Sequence, residues 1–416
     1  MPNALNAALA AAHPAAAALL SGTGRRAKYP SDITAQSADA RDCDYRATIG
    51  QFTRGDGTAF TPPALSDHVV GLQRERTFLY GPVGGHQGLR HAWKARLQTR
   101  TSAALSLPVV TSGITNALAL VADLFIDDDT HVIYAEPFWG NYRLVFGLRH
   151  QGRLRTFPFF EDGRFNTEGL RDALAATAGE RTVLVLNFPG NPTGFSPLEE
   201  DVQGIVDVVA AHPGPLAVVC DDAYKGMVFE RGVLSESIAN RLAPYLDPDR
   251  HLLMTADGAT KELMFFGGRI GFLTFWTGPE ASAVLEEKAR TCQRASINIP
   301  SGPAQELTLA ALQDGSLDGQ LAAIFDILAA RYRVLKSELA GLEGRLTPYP
   351  FNSGFFALVG VDPAIDVDAL RRRLIEDHSV GLIAIPSVNA LRIAFCSIDS
   401  NDLVELVKRV KLATGA

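Results

Sequence analysis

The sequence predicts an α/β fold in two parts: a large domain with a mostly parallel central sheet flanked by helices, and a smaller α+β domain. Three observations predict it. At 416 residues the chain is long enough to form two hydrophobic cores. In its middle, short and continuous apolar runs alternate with amphipathic stretches, which is typical of parallel strands that helices cover on both faces. From about residue 303 the pattern changes to a long helical stretch followed by short strands.

The apolar runs predict five strands of the central sheet, at residues 131–134, 183–186, 216–220, 252–255 and 272–275. Amphipathic stretches between them predict helices, at residues 115–125 and 199–211. The second part is predicted to contain a long helical stretch at residues 304–342, strands at residues 354–358 and 391–395, and a final helix. We therefore expect three segments. Residues 1–70 form an N-terminal arm and part of the small domain, residues 71–302 form the large domain, and residues 303–416 form the small C-terminal domain.

Composition and charge exclude several classes of partner. The apolar fraction of 47% and the charged fraction of 20% are ordinary for a globular enzyme. A net charge of −7 gives no electrostatic footprint for nucleic acid. The four cysteines are scattered without CxxC spacing, which favours a reducing compartment over a disulfide framework or a zinc site. We expect no metal ion.

The alanine-rich start of the chain, roughly residues 4–20, differs from a signal peptide. It has no positively charged region before it, and a His-Pro pair interrupts it. No apolar stretch of the sequence is long enough to span a bilayer. We expect a loose N-terminal helix or arm, a cytoplasmic location, and no membrane or nucleic-acid partner.

Lys261 is the most informative of the polar residues that follow the predicted strands, where open parallel sheets bind ligands. A lysine in a turn between two buried strands is partly desolvated, which lowers its pKa and makes the neutral amine available. Such an amine forms a Schiff base with an aldehyde, and Arg269, eight positions later, suits a phosphate. An aldehyde that carries a phosphate describes pyridoxal 5'-phosphate. The alternative is an ordinary lysine in a surface turn.

Three further residues fit the ring of that cofactor. Asp221, at a buried strand end, would keep the ring nitrogen protonated, because an ion pair in a low dielectric raises the pKa of that nitrogen. Tyr224 and Asn191 would donate hydrogen bonds to the phenolate oxygen of the ring. Each motif has a structural alternative: Asp221 as a turn or N-cap residue, and Asn191 in an Asn-Pro-Thr-Gly β-turn.

The remaining candidates suit the phosphate, the face of the ring and the substrate. Ser112, Gly113 and Ile114 open a helix whose backbone amides could bind phosphate, or they form an ordinary N-cap. Trp139 could stack on the ring or belong to the core. Arg392, within an apolar strand, could bind a substrate carboxylate or form a buried salt bridge.

Over roughly residues 45–397, these motifs together resemble the fold-type I, class I and II aminotransferases of the aspartate aminotransferase superfamily. The family's Asn-Pro-Thr-Gly stands at 191–194 and its Asp-x-x-Tyr at 221–224. Its lysine, followed eight residues later by an arginine, falls on Lys261 and Arg269.

Further matches place the chain nearest the aspartate and aromatic branch of that family. The Trp-Gly-Asn that begins at Trp139 and the Tyr-Gly-Pro-Val-Gly-Gly that begins at Tyr80 are similar to segments of that branch. The carboxylate-binding arginine of the family falls on Arg392, and Ile49-Gly50 sits where the family closes its substrate entrance.

The resemblance implies a pyridoxal-phosphate-dependent aminotransferase of amino-acid metabolism. It would move an amino group between an L-amino acid and a 2-oxo acid by a ping-pong mechanism. It would be a homodimer with shared active sites, in which Tyr80 reaches the phosphate held by the partner subunit. Lys261 would hold the cofactor and then move the substrate Cα proton, with Asp221 and Tyr224 completing the catalytic set.

One position departs from the family pattern. The family commonly has Ser-x-Ser-Lys, whereas this chain has Gly258 in place of the first serine and Thr260 in place of the second. Because the first serine usually bonds the phosphate, we expect cofactor binding to be weaker by about 1–2 kcal/mol. Thr260 keeps a hydroxyl for the cofactor.

The substrate remains open between two classes. Arg294 stands where the aspartate branch has an arginine for a distal carboxylate, which predicts dicarboxylic substrates; the alternative is a solvent-facing helix residue beside Arg290. Aromatic residues such as Phe138 and Tyr142 equally suit an aromatic or large apolar amino acid. Asn191 and Trp139 are also expected to contact the substrate.

The sequence leaves two alternatives to transamination. One is another carbanion enzyme on the same fold, such as a carbon–sulfur lyase, a decarboxylase or an aminocyclopropane-forming synthase. The other is a ligand-sensing regulator fused to a DNA-binding domain, which is disfavoured because the first 45 or so residues contain no basic recognition helix.

Overall fold

A computed structural model describes residues 4–28, 30, 33–72, 77–342 and 344–415. A seven-stranded sheet forms its centre. In spatial order the strands are β2 (Val109–Ser112), β10 (Ile270–Trp276), β9 (His251–Gly258), β8 (Leu216–Asp221), β7 (Thr182–Leu186), β3 (His131–Glu136) and β4 (Arg153–Pro158). All neighbours are parallel except β10, which runs antiparallel to β2 and β9. The predicted fold class, with its mostly parallel central sheet, is confirmed.

Helices cover both faces of this sheet, because alternate residues of a strand point to opposite sides. Ile133 and Leu184 pack in one core with α8 (Thr167–Ala175) and α9 (Glu199–Ala210). Their chain neighbours Val132 and Val183 pack in another core on the opposite side. That core includes α7 (Ile114–Phe125) and a residue of α12 (Pro279–Ser296). Burial on both sides explains why the central strands read as continuous apolar runs.

Strands β2 and β4 were absent from the predicted strands. Strand β4 reads Arg-Leu-Arg-Thr-Phe-Pro and lies at the edge of the sheet, with most of its side chains exposed or half-buried. An edge strand of this kind has no continuous apolar run, so the pattern that identified the central strands does not mark it.

A second, antiparallel sheet has four strands. Their order is β11 (Leu346–Pro348), β12 (Phe356–Val361), β15 (Ala390–Ala394) and β14 (Ile383–Ile385). Its core includes residues of α14 (Leu317–Ala340), α15 (Val367–His378) and α16 (Ser400–Thr414). The helical pattern predicted over 304–342 is two helices, α13 (Gly302–Gln313) and α14. They are separated by a turn in which the Asp314 carboxylate accepts the Ser316 N–H at 2.8 Å.

The shorter elements connect these layers. The helices are α5 (Pro63–Ser66), α6 (Gln87–Gln98), α10 (Ala239–Leu242), α11 (Ala259–Glu262), a π-helix (Arg143–Leu148) and 3-10 turns at Asp67–Gly71, Phe266–Gly268, Pro386–Val388 and Phe395–Ser397. A small hairpin is formed by β5 (Phe160–Glu161) and β6 (Arg164–Phe165).

The N-terminal segment joins the second sheet. Strand β1 (Tyr45–Arg46) pairs in parallel with β13 (Val380–Gly381), and Ala47 and Phe52 are buried in the core of the second sheet. In α4 (Ile33–Asp39), the Gln36 side chain donates to the Ala384 carbonyl at 3.2 Å and accepts from its N–H at 2.7 Å. The side-chain amide of Gln36 thus bonds Ala384 as the backbone of a neighbouring strand would. These two hydrogen bonds hold α4 beside the sheet edge.

The first helices contribute no buried residue; they are α1 (Ala4–Ala12), α2 (Pro14–Leu19) and α3 (Gly22–Arg26). In the part of the chain that the structure describes, no helix combines the length and the apolar character needed to cross a membrane.

Candidate active site

A cavity of about 730 Å³ lies at the carboxyl ends of the parallel strands, between the central sheet and the second sheet. Most of the predicted site residues line it: Ile49, Ile114, Trp139, Asn191, Asp221, Tyr224, Thr260, Lys261 and Arg269. They come from sequence positions more than 200 apart, and the crossover topology of the sheet brings them together.

Lys261 lies in α11, one short turn after the end of β9. Its Nζ is 5.2 Å from the centroid of the Tyr224 ring. Burial lowers the pKa of Lys261 to about 8; the charge of Asp221 opposes this shift, and that of Arg269 adds to it. A substantial part of this amine is therefore neutral at mildly alkaline pH, as a nucleophile or base requires.

Asp221 is the last residue of β8 and is buried. Burial raises its pKa, opposed first by the hydroxyl of Tyr142, which donates to Oδ2 at 2.6 Å, and then by Lys261. Oδ1 has no hydrogen-bond partner in the described chain. A buried carboxylate oxygen in this state is suited to accept a hydrogen bond from a cationic group in the cavity.

Two asparagines connect the backbone of Asp221 to Arg392. The amide of Asn187 donates to the Asp221 carbonyl at 2.8 Å and accepts the N–H of Asn191 at 2.8 Å. Asn191 Oδ1 accepts from Arg392 at 3.0 Å. With its oxygen engaged by arginine, Asn191 can offer its amide N–H groups to the cavity.

Arg392 lies on β15 beneath the cavity and is almost fully buried. Its guanidinium stacks 4.3 Å from the centroid of Phe356 and donates to the Thr48 carbonyl. Burial lowers the pKa of Arg392 to about 10, and Nε has no hydrogen-bond partner in the described chain. No carboxylate of the described residues forms a salt bridge with it; its hydrogen-bond acceptors are Asn191 Oδ1 and the Thr48 carbonyl.

The backbone at Gly50 allows the entrance segment to approach this arginine. A Cβ added at Gly50 would lie 2.4 Å from the ring of Phe356 and 3.4 Å from the hydroxyl of Tyr224. The neighbouring Ile49 is half exposed and lines the cavity. Only glycine therefore fits where the N-terminal segment crosses the floor of the site.

One corner of the cavity is formed by Arg269 and the N-terminus of α7. Gly113 caps this helix with a φ of 77°, and a Cβ added there would lie 2.5 Å from Arg269 Nη2. The guanidinium thus rests directly on the first turn, where unpaired backbone N–H groups favour anions. The adjacent Ser112 is half-buried, and the buried Thr260 hydroxyl on the cavity wall has no partner in the described chain.

The structure explains the glycine that departs from the family pattern. A Cβ added at Gly258 would lie 2.5 Å from the Ile270 carbonyl and 2.8 Å from the Gly271 Cα. The neighbouring strand β10 is too close for a side chain at this position. Serine is therefore excluded by packing rather than by the chemistry of the site.

Tyr80 and Arg294 lie outside the cavity. The Tyr80 side chain is 93% exposed, and Arg294 lies on the surface at the end of α12, in a separate groove with Val83 and Arg290. Neither residue belongs to the active-site cavity of its own chain. Their predicted roles therefore require the cavity of a partner subunit.

Several cavity residues were not predicted as site residues. Asn187 and Arg143 come from the segments after β7 and β3, and Gln36 comes from α4. Tyr142 lies behind the cavity lining, where its hydroxyl donates to Asp221. Asn187 directly follows β7, which was the only signal for it, and no sequence pattern marked Arg143 at the start of the π-helix. Tyr142 had appeared only as one of several aromatic residues suited to a substrate.

Known proteins with similar sequence or fold match most of the chain. The family model of aminotransferase class I and II matches residues 48–410. The arginine–pyruvate transaminase of Pseudomonas aeruginosa is 25% identical over 374 residues, which cover 86% of this chain and 89% of that protein. The aspartate aminotransferase of Bacillus subtilis is 23% identical over 368 residues, covering 84% and 87%. An aminotransferase structure from Anaerococcus prevotii has the same fold, with a TM-score of 0.84 at 19% identity over 96% of this chain and 100% of that one.

Proposed function

The chain belongs to the class I and II aminotransferase family and is an aminotransferase, and we propose that it uses pyridoxal 5'-phosphate in a ping-pong cycle between an L-amino acid and a 2-oxo acid. Members of this family use that cofactor. The observation that carries the proposal is the convergence of Lys261, Asp221 and Arg269 on one cavity.

The residues of the cavity fit this cofactor. Asp221 Oδ1 and Thr260 Oγ1 are buried without partners in the described chain, and they match a protonated ring nitrogen and a phosphate oxygen. Arg269 and the helix N-terminus at residues 112–114 offer positive charge for the phosphate. Trp139 lines the cavity where a ring could stack, and Lys261 would hold the cofactor through Nζ.

Pyridoxal phosphate, when bound, withdraws electrons from the substrate Cα and so stabilises a carbanion there. Lys261 Nζ would take up and return the Cα proton, because a pKa near 8 lets both its forms exist close to neutral pH. The Asp221 carboxylate would hold positive charge at the ring nitrogen, and Tyr142 keeps that carboxylate in position. Asn191 and Tyr224 would offer hydrogen bonds to the ring oxygen.

The substrate would be held at its carboxylate by Arg392, whose buried guanidinium has an unused donor. Arg143 is the one charged side chain of the described cavity lining that this assignment leaves without a role. It stacks 4.9 Å from the centroid of Phe138, so a cation and an aromatic ring would be available to the distal part of the substrate. We propose a dicarboxylic or an aromatic amino acid, with Arg294 of the partner subunit as a further contact for a distal carboxylate.

The proposal includes the assembly, the location and the domains. We propose a homodimer in which Tyr80 reaches the phosphate of the other subunit, because this exposed tyrosine lies near exposed Phe78 and Leu79. We further propose a cytoplasmic location and a division into residues 1–70, 71–302 and 303–416. This division is supported by the central sheet lying within residues 109–276 and by Ala47 and Phe52 packing in the core of the second sheet.

A panel of amino donors tests the function. The holoenzyme is mixed with each amino acid and 2-oxoglutarate, and glutamate formation is measured. We expect glutamate with at least one dicarboxylic or aromatic donor. Release of pyruvate, ammonia or carbon dioxide without an acceptor, and no glutamate with any donor, would instead identify a lyase or decarboxylase on the same fold.

A further inference from the structure

A second cavity of about 770 Å³ lies apart from the candidate active site. It is enclosed by α6, the segment after β8, and the first half of α14. None of the described residues that line it also lines the active-site cavity. Its volume is within the range of pockets that bind small organic molecules.

One wall of this cavity carries a network of ion pairs, of which Lys225 and Asp257 are the most buried. Lys225 Nζ lies 3.1 Å from Asp257 Oδ2 and 3.6 Å from a carboxylate oxygen of Glu262. Glu262 also pairs with Arg96 at 2.7 Å, and Arg96 reaches Asp318 at 3.3 Å. Lys225 and Arg96 are therefore already neutralised by carboxylates of the protein.

Asp222 lies on the same wall and keeps one unpaired carboxylate oxygen. It is 4% exposed, and its Oδ2 has no hydrogen-bond partner in the described chain. Burial raises the pKa of Asp222 to about 7. Lys225 and a hydrogen bond with Ser237 oppose this shift, and Asp257 and Asp221 add to it. A buried acceptor of this kind is costly unless a donor or cation pairs with it.

The charge balance of the cavity also favours a cation. The described lining contains four carboxylates and three cations, and the carboxylate of Asp257 lies directly behind Lys225. The rest of the lining is largely apolar and includes the rings of Trp93, Trp276 and Phe325. A flat apolar body would pack on these rings while its charged end reached Asp222.

We propose that this cavity binds a small organic cation with a flat apolar body, whose charged end pairs with the carboxylate of Asp222. An amidinium, guanidinium or ammonium attached to an aromatic ring has the required chemistry. The binding stands independently of the function proposed above.

Occupancy of this cavity is coupled to the active site through the chain. Lys225 directly follows Tyr224, and Glu262 directly follows Lys261. The Lys225–Glu262 ion pair therefore ties together the two segments that carry these active-site residues. A cation at Asp222 would compete with Lys225 and shift this pair, which changes turnover; this effect, unlike the binding, rests on the proposed function.

Benzamidine is a suitable probe because it carries a flat ring and an amidinium that does not form an imine with an aldehyde. Its binding to the holoenzyme is measured by calorimetry, beside neutral benzamide and anionic benzoate. We expect benzamidine to bind at least tenfold more tightly than the other two, and Asp222→Asn to remove this preference. Equal affinity for the three compounds would overturn the proposal.

A second pair of variants leaves the buried charges intact. Ala322 and Ala323 are both exposed on α14, but only Ala322 lines the cavity. Ala322→Trp should fill the cavity and abolish benzamidine binding, whereas Ala323→Trp should bind as the wild type does. Binding that survives Ala322→Trp, or that a saturating 2-oxo acid displaces competitively, would place the ligand elsewhere and overturn the site.

The pH dependence gives an independent readout. Benzamidine stays cationic between pH 6 and pH 8, while Asp222 changes from mostly protonated to mostly ionised. The affinity of the wild type should therefore rise about tenfold over this range. A flat profile contradicts pairing with Asp222. Coupling is tested by the effect of benzamidine on kcat: a change in the wild type that Ala322→Trp removes supports it, and no change refutes it.

Discussion

Replacing Tyr142 with phenylalanine should weaken cofactor binding roughly 10- to 150-fold. The lost hydrogen bond is 2.6 Å long, is buried, and ends on the Asp221 carboxylate. A hydrogen bond to a charged group contributes about 1.5–3 kcal/mol, which corresponds to this range of affinity because about 1.4 kcal/mol is tenfold.

Cofactor binding should weaken rather than strengthen, because the ionised form of Asp221 binds the cofactor and the protonated form does not hold its charge. The Tyr142 hydroxyl lowers the pKa of Asp221 against the effect of burial, so its removal raises that pKa further. A more protonated Asp221 holds less positive charge at the ring nitrogen. It also stabilises the Lys261 ammonium less, so the pKa of that lysine should fall below its value of about 8.

The assay is a cofactor titration of the apoenzyme followed by absorbance, repeated across pH. Tyr134→Phe is the matched control, because this ring is equally buried and its centroid lies 5.5 Å from that of Tyr142. We expect the control to bind the cofactor as the wild type does. If Tyr142→Phe retains wild-type affinity and pH profile, then this hydrogen bond does not govern the charge of Asp221.

Three further predictions concern individual positions. Gly258→Ser should destabilise the enzyme by about 1–3 kcal/mol, because its Cβ would meet the Ile270 carbonyl; a thermal melt measures this, and tighter cofactor binding at unchanged stability would contradict the packing explanation. Arg294→Ala should reduce kcat/KM for aspartate far more than for phenylalanine if this residue binds a distal carboxylate in the partner's site, and equal losses would remove that role. The rate at which apoenzyme binds pyridoxal phosphate should rise with pH, reach half its maximum near pH 8 and level off above it, because Lys261 reacts as the neutral amine; a midpoint near pH 10.5 would show an ordinary lysine.

The sequence could predict that the candidate residues at strand ends lie together, because an apolar run and the polar residue beside it are both visible in a short stretch of sequence. Lys261, Asp221 and Arg269 follow or precede apolar runs, and parallel topology brings such positions to one edge. The hydrogen bond from Tyr142 to Asp221 joins residues 79 apart. No periodicity marks a contact of this kind.

Other features depend on distances that only the folded chain defines. The contact between α4 and the second sheet depends on Gln36 and Ala384, which are 348 residues apart. The sequence also does not show how close β10 lies to Gly258. From the sequence alone, glycine in place of the family's serine could be interpreted only as the loss of a phosphate contact. Strand β4 was missed because its exposed edge position removes the apolar run.

Reduction with borohydride followed by peptide mass spectrometry tests the central claim most directly. The purified enzyme is incubated with pyridoxal phosphate, reduced and digested, and each lysine-containing peptide is weighed. We predict that the peptide containing Lys261 gains the mass of the reduced cofactor and that Lys261→Ala protein gains none at this position. A colourless protein without added mass, or modification confined to another lysine, would contradict the account.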